Sequence, residues 1–171
     1  PIEGYQALQD SLSKVDGVTR VVSFVESQVL ASSVKGSRGA LVRGISEADL
    51  LKIPTLVNRD LHTAIADPEQ EDATAGFAGF EKSGGVLIGE GMARRLQLGL
   101  GSSLNLLSPE GPETVMGSAP TSRDFPVVGI FKLGMSDFDD NVVYMPMPDA
   151  QDFFQLPGSV SLIEIMVNDP D

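Results

Sequence analysis

Few residues in this chain have types and spacings that could do chemistry. The one histidine is His62, with Asp60 two positions before it. A Ser-His-Asp triad would have to run through His62, and nothing around it supplies the rest. It reads as a surface or interfacial side chain. Gly89-Glu90-Gly91 stands between a strand-like and a helix-like segment, where phosphates are often held. The third glycine of a GxGxxG fingerprint is missing, because Arg94 stands there. Glu90 would also occupy the dipole site that an anion needs. The motif therefore reads as a tight turn and a helix start. Asp137-Phe138-Asp139-Asp140-Asn141 has the acidity of a calcium loop but lacks its central glycine and distal glutamate. It reads as an acidic turn. Glu69, Glu71 and Asp72 read as a solvated loop. With no cysteine, thiolate metal sites, cysteine nucleophiles and disulfides are excluded. No catalytic residue, metal ligand or cofactor is expected.

The arginines offer a different chemistry. Arg94 and Arg95 fall on an expected helix, on its outer face. Arg123 stands at the base of a long Pro/Gly/Ser-rich segment. Two roles are open for it: a surface partner of Asp124, or an anchor in a protein interface, where arginine is enriched.

The totals limit the class. A chain of 171 residues makes one large domain or two small lobes, and 42% hydrophobic residues suffice for a core. The formal charge of -12 carries no basic stripe, which argues against nucleic acid. No apolar run approaches the ~18–20 residues that span a bilayer, and no signal peptide is visible. Pro1 at one end and a strand running into Asp171 at the other fit a domain cut from a longer membrane protein, or a mature secreted one.

The elements that position these residues follow from periodicity. Tyr5, Leu8, Leu12 and Val15 recur at helical spacing before Gly17. Residues 18–30 and 39–45 read as a hairpin turning at Lys35-Gly36-Ser37. Ser46 is placed to cap a short helix, with Asp49 three residues on. Residues 67–85 are acidic, rich in Gly and Ala, and aperiodic, which predicts a loop. Val86-Leu87-Ile88 reads as a buried strand, and 89–98 as a helix ended by Gly99, with Met92 and Leu96 inward. Strands are expected at 103–107 and 125–133, with 108–122 between them as a protruding hairpin tip. A strand at 141–147, a helix at 149–156 behind Pro148, anchored by Phe153 and Phe154, and a strand at 159–167 complete the chain. The fold class is α+β. Strand-and-helix units at both ends suggest one lobe closed by the two termini, residues 1–48 and 138–171, with 49–137 inserted as a second lobe.

The ordered set Asp16-Gly17-Val18-Thr19, Gly39-Ala40-Leu41-Val42-Arg43-Gly44-Ile45, Val86-Leu87-Ile88-Gly89-Glu90-Gly91-Met92-Ala93, Phe125-Pro126-Val127-Val128-Gly129-Ile130-Phe131 and Tyr144-Met145-Pro146-Met147 resembles the periplasmic domain of LolC/LolE permease subunits. These belong to the lipoprotein-releasing ABC transporters of Gram-negative bacteria, with MacB-type permeases as wider relatives. The resemblance covers nearly the whole chain. It implies a split porter-like lobe of βαβ units and an inserted Sabre-like lobe carrying the hairpin. It implies an inner-membrane protein with a periplasmic domain, a partner permease, and an ATPase in a separate cytoplasmic subunit. The chain has no GxxxxGK[ST] motif of its own. In chaperone-binding members a hairpin called the hook enters the periplasmic lipoprotein chaperone LolA, which receives outer-membrane lipoproteins.

The matching residues here are Pro112, Val115, Met116, Pro120, Ser122 and Arg123. Val115 replaces a frequent proline, Ser122 a larger polar residue, and Leu104 an occasional basic one. These departures leave LolC-like and LolE-like roles open. A MacB-like mechanotransmission domain of an efflux or peptide exporter is the alternative.

Overall fold

A computed structural model describes residues 1–52, 62–63, 79–109, 113–115, 117–132 and 140–168. Strand β1 (Ile2–Glu3) leads into helix α1 (Tyr5–Ser13), then the long strands β2 (Val18–Ser33) and β3 (Gly36–Ile45). Helix α2 (Glu47–Leu50) and strand β4 (His62–Thr63) follow, then α3 (Phe80–Ser83), β5 (Val86–Gly89), α4 (Glu90–Leu96) and β6 (Ser103–Ser108). The short pair β7 (Glu113–Thr114) and β8 (Gly117–Ser118) precedes β9 (Thr121–Phe131). The chain ends with β10 (Val142–Pro146), α5 (Met147–Phe153), β11 (Ser159–Val160) and β12 (Leu162–Val167). The α+β class expected from the sequence is the one observed.

Eight strands form the main sheet, in the order β12-β2-β3-β10-β5-β9-β4, with β6 pairing both β2 and β9. Through β6 the ladder closes into a ring of six strands: β2, β3, β10, β5, β9 and β6. The β3–β10 and β5–β9 pairs are parallel and the other four are antiparallel. Because strand side chains alternate, each strand sends one row to a shared core. Val25 and Val29 of β2, Val42 of β3, Ile88 of β5, Leu104 and Leu106 of β6, Phe125 and Val127 of β9, and Val143 of β10 meet there. Met92 and Leu96 of α4 and Ala150 and Phe153 of α5 join them. A second core on the other face gathers Phe24, Leu50, Phe80, Leu87 and Phe131. The ring takes strands from residues 1–48, from 49–137 and from 138–171, so the segments expected as separate lobes share one sheet.

Several local expectations need correction. The β2–β3 turn is tighter than predicted: Ser33 pairs Gly36, leaving Val34 and Lys35 as the loop. Both rows of β2 are buried from Val21 to Val25, because cores lie on both sides. Helix α4 ends at Gln97, not Gly99: Gln97 takes the left-handed conformation (φ 51°), and the Leu98 amide bonds the Ala93 carbonyl. The predicted loop 67–85 contains α3, whose Phe80 is fully buried. Pro148 lies inside the first turn of α5, where its missing N–H costs nothing. The Ser46 cap is present, with Ser46 Oγ accepting from the Asp49 amide at 3.1 Å. The Asp49 carboxylate in turn accepts from Gln9 Nε2, the Ser23 amide and Lys52 Nζ, fastening α1 and α2 to β2.

Candidate functional site: the hairpin and its base

The β6–β9 ladder runs in unbroken register from Ser103↔Pro126 to Ser108↔Thr121. Thr121 and Ser122 are therefore strand, and the connection is 109–120, shorter than the expected 108–122. Within it β7 and β8 pair antiparallel, Glu113↔Ser118 and Thr114↔Gly117. Gly117 has φ 103°, a region that favours glycine. Val115 stands between these strands with its side chain fully exposed, at 107%. Pro120 is exposed as well. Pro112 and Met116 lie outside the described residues.

The strand register explains the base. Leu104 faces Phe125 and Leu106 faces Arg123, so Arg123 belongs to the row that points into the larger core. Its own side chain is exposed, while Thr121, next along the row, is half-buried and Ser108 opposite it is buried. Its guanidinium carbon lies 5.5 Å from the ring centre of Phe153 and 5.9 Å from that of Phe125. The two rings meet edge to face at 5.6 Å and are almost fully buried. A cation over an aromatic face is attracted by the ring quadrupole.

Arg123 Nη2 donates to Asp152 Oδ2 of α5 at 2.9 Å. The expected surface partner, Asp124, is on the opposite row. There Asn105 Nδ2 donates to both Asp124 Oδ1 and Ser122 Oγ, at 2.9 Å each. Asp152 was not legible as part of the site, since it lies 29 residues away and no local pattern connects it to Arg123. Burial raises the pKa of the Asp149 carboxyl, one turn earlier on α5, and the nearby Arg123 charge opposes that rise. From Asp152 an open groove of about 490 Å³ continues along α5, past Pro148, Gln151 and Gln155 to Pro157.

Arg95 pairs Asp140 at 3.1 Å. Both Arg94 and Arg95 are exposed on α4, as expected. Glu90 sits in the first turn of α4, with Lys132 Nζ 3.7 Å away. His62 pairs Ile130 through its backbone. Residues 133–139, which hold most of the acidic turn, and the acidic loop residues Glu69, Glu71 and Asp72 lie outside the described residues. Among the described residues no group of three His, Asp or Glu could hold a metal, and no helix is long and apolar enough to cross a membrane.

The described residues thus form an α+β sheet closed into a ring, with the short β7–β8 pair in the connection between β6 and β9. The chain belongs to the MacB-like periplasmic core domain family, whose model matches residues 1–171. Among curated proteins it is 25% identical over 154 residues to the lipoprotein-releasing system transmembrane protein LolC of Neisseria meningitidis serogroup B. That match covers 90% of this chain and 34% of the relative. It is 24% identical over 170 residues to LolE of Haemophilus influenzae, covering 99% of this chain and 38% of that protein. The chain thus spans little more than a third of these relatives. Two solved structures share the fold at 15% identity: the extracellular domain of the ABC-type transporter YknZ from Gram-positive bacteria (TM-score 0.59, 99% of this chain and 74% of that one) and the periplasmic region of MacB from Actinobacillus actinomycetemcomitans (TM-score 0.56, 100% and 67%).

Proposed function

We propose that this chain is the periplasmic domain of an inner-membrane lipoprotein-releasing ABC transporter permease, and that it passes outer-membrane lipoproteins to the chaperone LolA. The domain catalyses nothing itself; a partner permease and a separate cytoplasmic ATPase complete the transporter. The observation that carries the reading is the hairpin. Between β6 and β9 it carries its own two-stranded pair, β7 and β8, with a wholly exposed valine directly after β7. A hydrophobic side chain presented on such a projection suits insertion into an apolar cavity of a partner. Similarity to LolC and LolE over most of the chain supports the same reading. In it residues 109–120 are the hook and Arg123 stands at its base. Residues 49–137 are the inserted Sabre-like segment, and 1–48 with 138–171 the porter-like part, the two sharing the six-strand ring.

Titrating LolA against this domain and against a form with 111–118 replaced by a short Gly-rich turn tests the proposal. Saturable binding lost with the hairpin is expected; equal binding by both forms would sink it. The fold likeness to MacB favours a second reading, a mechanotransmission domain bound to an adaptor protein. Capture of a periplasmic adaptor and not LolA would select it.

A further inference from the structure

The contact between Arg123 and Asp152 joins the strand that carries the hairpin to the helix that follows β10. It is exposed, with 41% of the arginine and 73% of the aspartate side chain open to solvent. Ion pairs this exposed add little to folding stability, because water screens them and ordering two side chains opposes them. A role in folding therefore does not account for it. We infer that Asp152 is a positioning residue that sets the Arg123 guanidinium for a partner, an assignment that rests on reading the hairpin face as the partner surface.

The geometry supplies the argument. A surface arginine samples many rotamers, and a partner that uses it must freeze them on binding. Here three groups freeze it beforehand. Phe125 and Phe153 give a rigid floor, both being buried in the core. The floor fixes the height of the guanidinium but not its rotation in the plane. Asp152 fixes the rotation by taking Nη2 from one side. The planar fork has further N–H donors. With one edge held by Asp152, its other edge is left for an acceptor on the partner, a carboxylate or carbonyl oxygen. Asp152 can hold this position because α5 is itself fixed: Ala150 and Phe153 are buried, and Gln151 Nε2 donates to the Ser159 carbonyl at 3.1 Å.

The test is a double-mutant cycle on LolA binding with the wild type, Arg123→Ala, Asp152→Asn and the double variant, plus Asp152→Glu. Removing the positioning carboxylate is expected to weaken binding about three- to tenfold, the cost of one immobilised side chain. Asp152→Glu should recover most of it, and thermal stability should not change. In the Arg123→Ala background Asp152→Asn should have no further effect. Tighter or equal binding by Asp152→Asn would make the aspartate a competitor or a bystander. A loss that persists without Arg123 would mean that Asp152 touches the partner itself. Either result overturns the inference. NMR order of the Arg123 Nε–Hε group in the free domain separates this from the wider reading. It should fall in Asp152→Asn even if LolA proves not to bind, and unchanged order overturns the positioning role on its own.

Discussion

Gly44 of β3 lies against Ala150 of α5 with no room for a side chain between them. A Cβ built on Gly44 would fall 2.3 Å from the Ala150 Cβ and 3.3 Å from that of Val25. The helix that carries Asp152 and Phe153 is thus seated on bare backbone near the C-terminal end of β3. Gly44 is needed here for the close approach.

The first prediction follows from that seat. Gly44→Ala should destabilise the fold by about 1–3 kcal/mol, the usual cost of forcing an extra methyl into a packed core. Ala150→Gly made in the same chain should recover part of the loss, since it removes the atom struck. Urea unfolding of the three variants reads this directly. A Gly44→Ala midpoint equal to the wild type would show that α5 can lift away freely, and its grip on Arg123 would then be weak.

A second prediction concerns Asp149 and pH. Burial raises its folded-state pKa above the unfolded value, so the folded chain holds the proton more tightly. Between the unfolded and folded values the native state binds more protons than the unfolded one. Stability from this group is therefore present at low pH and lost as pH rises through that interval. Asp149→Asn removes the penalty. The variant should be more stable than the wild type at pH 7, with the difference closing below the unfolded value of about 3.9. Denaturant midpoints at pH 7 and pH 3 check it. A variant less stable at pH 7 would mean that the Arg123 attraction and the helix dipole outweigh burial.

Much of the scaffold was legible because its signals are local. The β2–β3 hairpin follows from two β-rich runs around a turn. The Ser46 cap follows from residue type three positions before Asp49, and β5 from three consecutive apolar residues between glycines. The ring was not legible. Its closure depends on Leu30, Ala31 and Ser32 meeting Leu107, Leu106 and Asn105, a pairing across more than seventy positions that no periodicity encodes. Helix α3 was missed because four residues are too few for a period, and the end of α4 because a glutamine took the left-handed conformation that glycine usually supplies. At the candidate site, the segment between β6 and β9 and Arg123 were singled out from composition and resemblance. Asp152 was not, because only the fold brings α5 to the base of β9.

Val115 gives a third prediction. Its side chain is wholly exposed, so replacing it removes no burial and should leave stability within about 0.5 kcal/mol. If it enters an apolar cavity of LolA, Val115→Asp should weaken binding by tenfold or more, since it places a charge where a hydrophobic group was buried. Val115→Leu should keep it. A binding constant indifferent to Asp at this position would move the partner contact off the hairpin tip.

The last prediction sets Arg123 against Arg94. Both are exposed arginines in an acidic chain, so a general electrostatic attraction would weight them alike. Their settings differ. Arg123 rests on two buried rings and pairs Asp152 at the hairpin base, whereas Arg94 lies on the outer face of α4. Truncating an anchored interface arginine typically costs about 1–3 kcal/mol, roughly a ten- to hundredfold loss of affinity. A rim arginine changes binding by less than about 0.5 kcal/mol. Arg123→Ala should therefore weaken LolA binding strongly and Arg94→Ala hardly at all. Salt separates the two kinds of contribution further. Any effect of Arg94 should vanish by about 0.5 M salt, where charges on the rim are screened, while part of the loss at Arg123 should persist, because a directional hydrogen bond from its free edge at a water-excluded contact is screened less than an exposed charge. Equal effects of the two substitutions, both erased by salt, would show that the chain attracts its partner through net field alone and that the base of the hairpin is not an anchor.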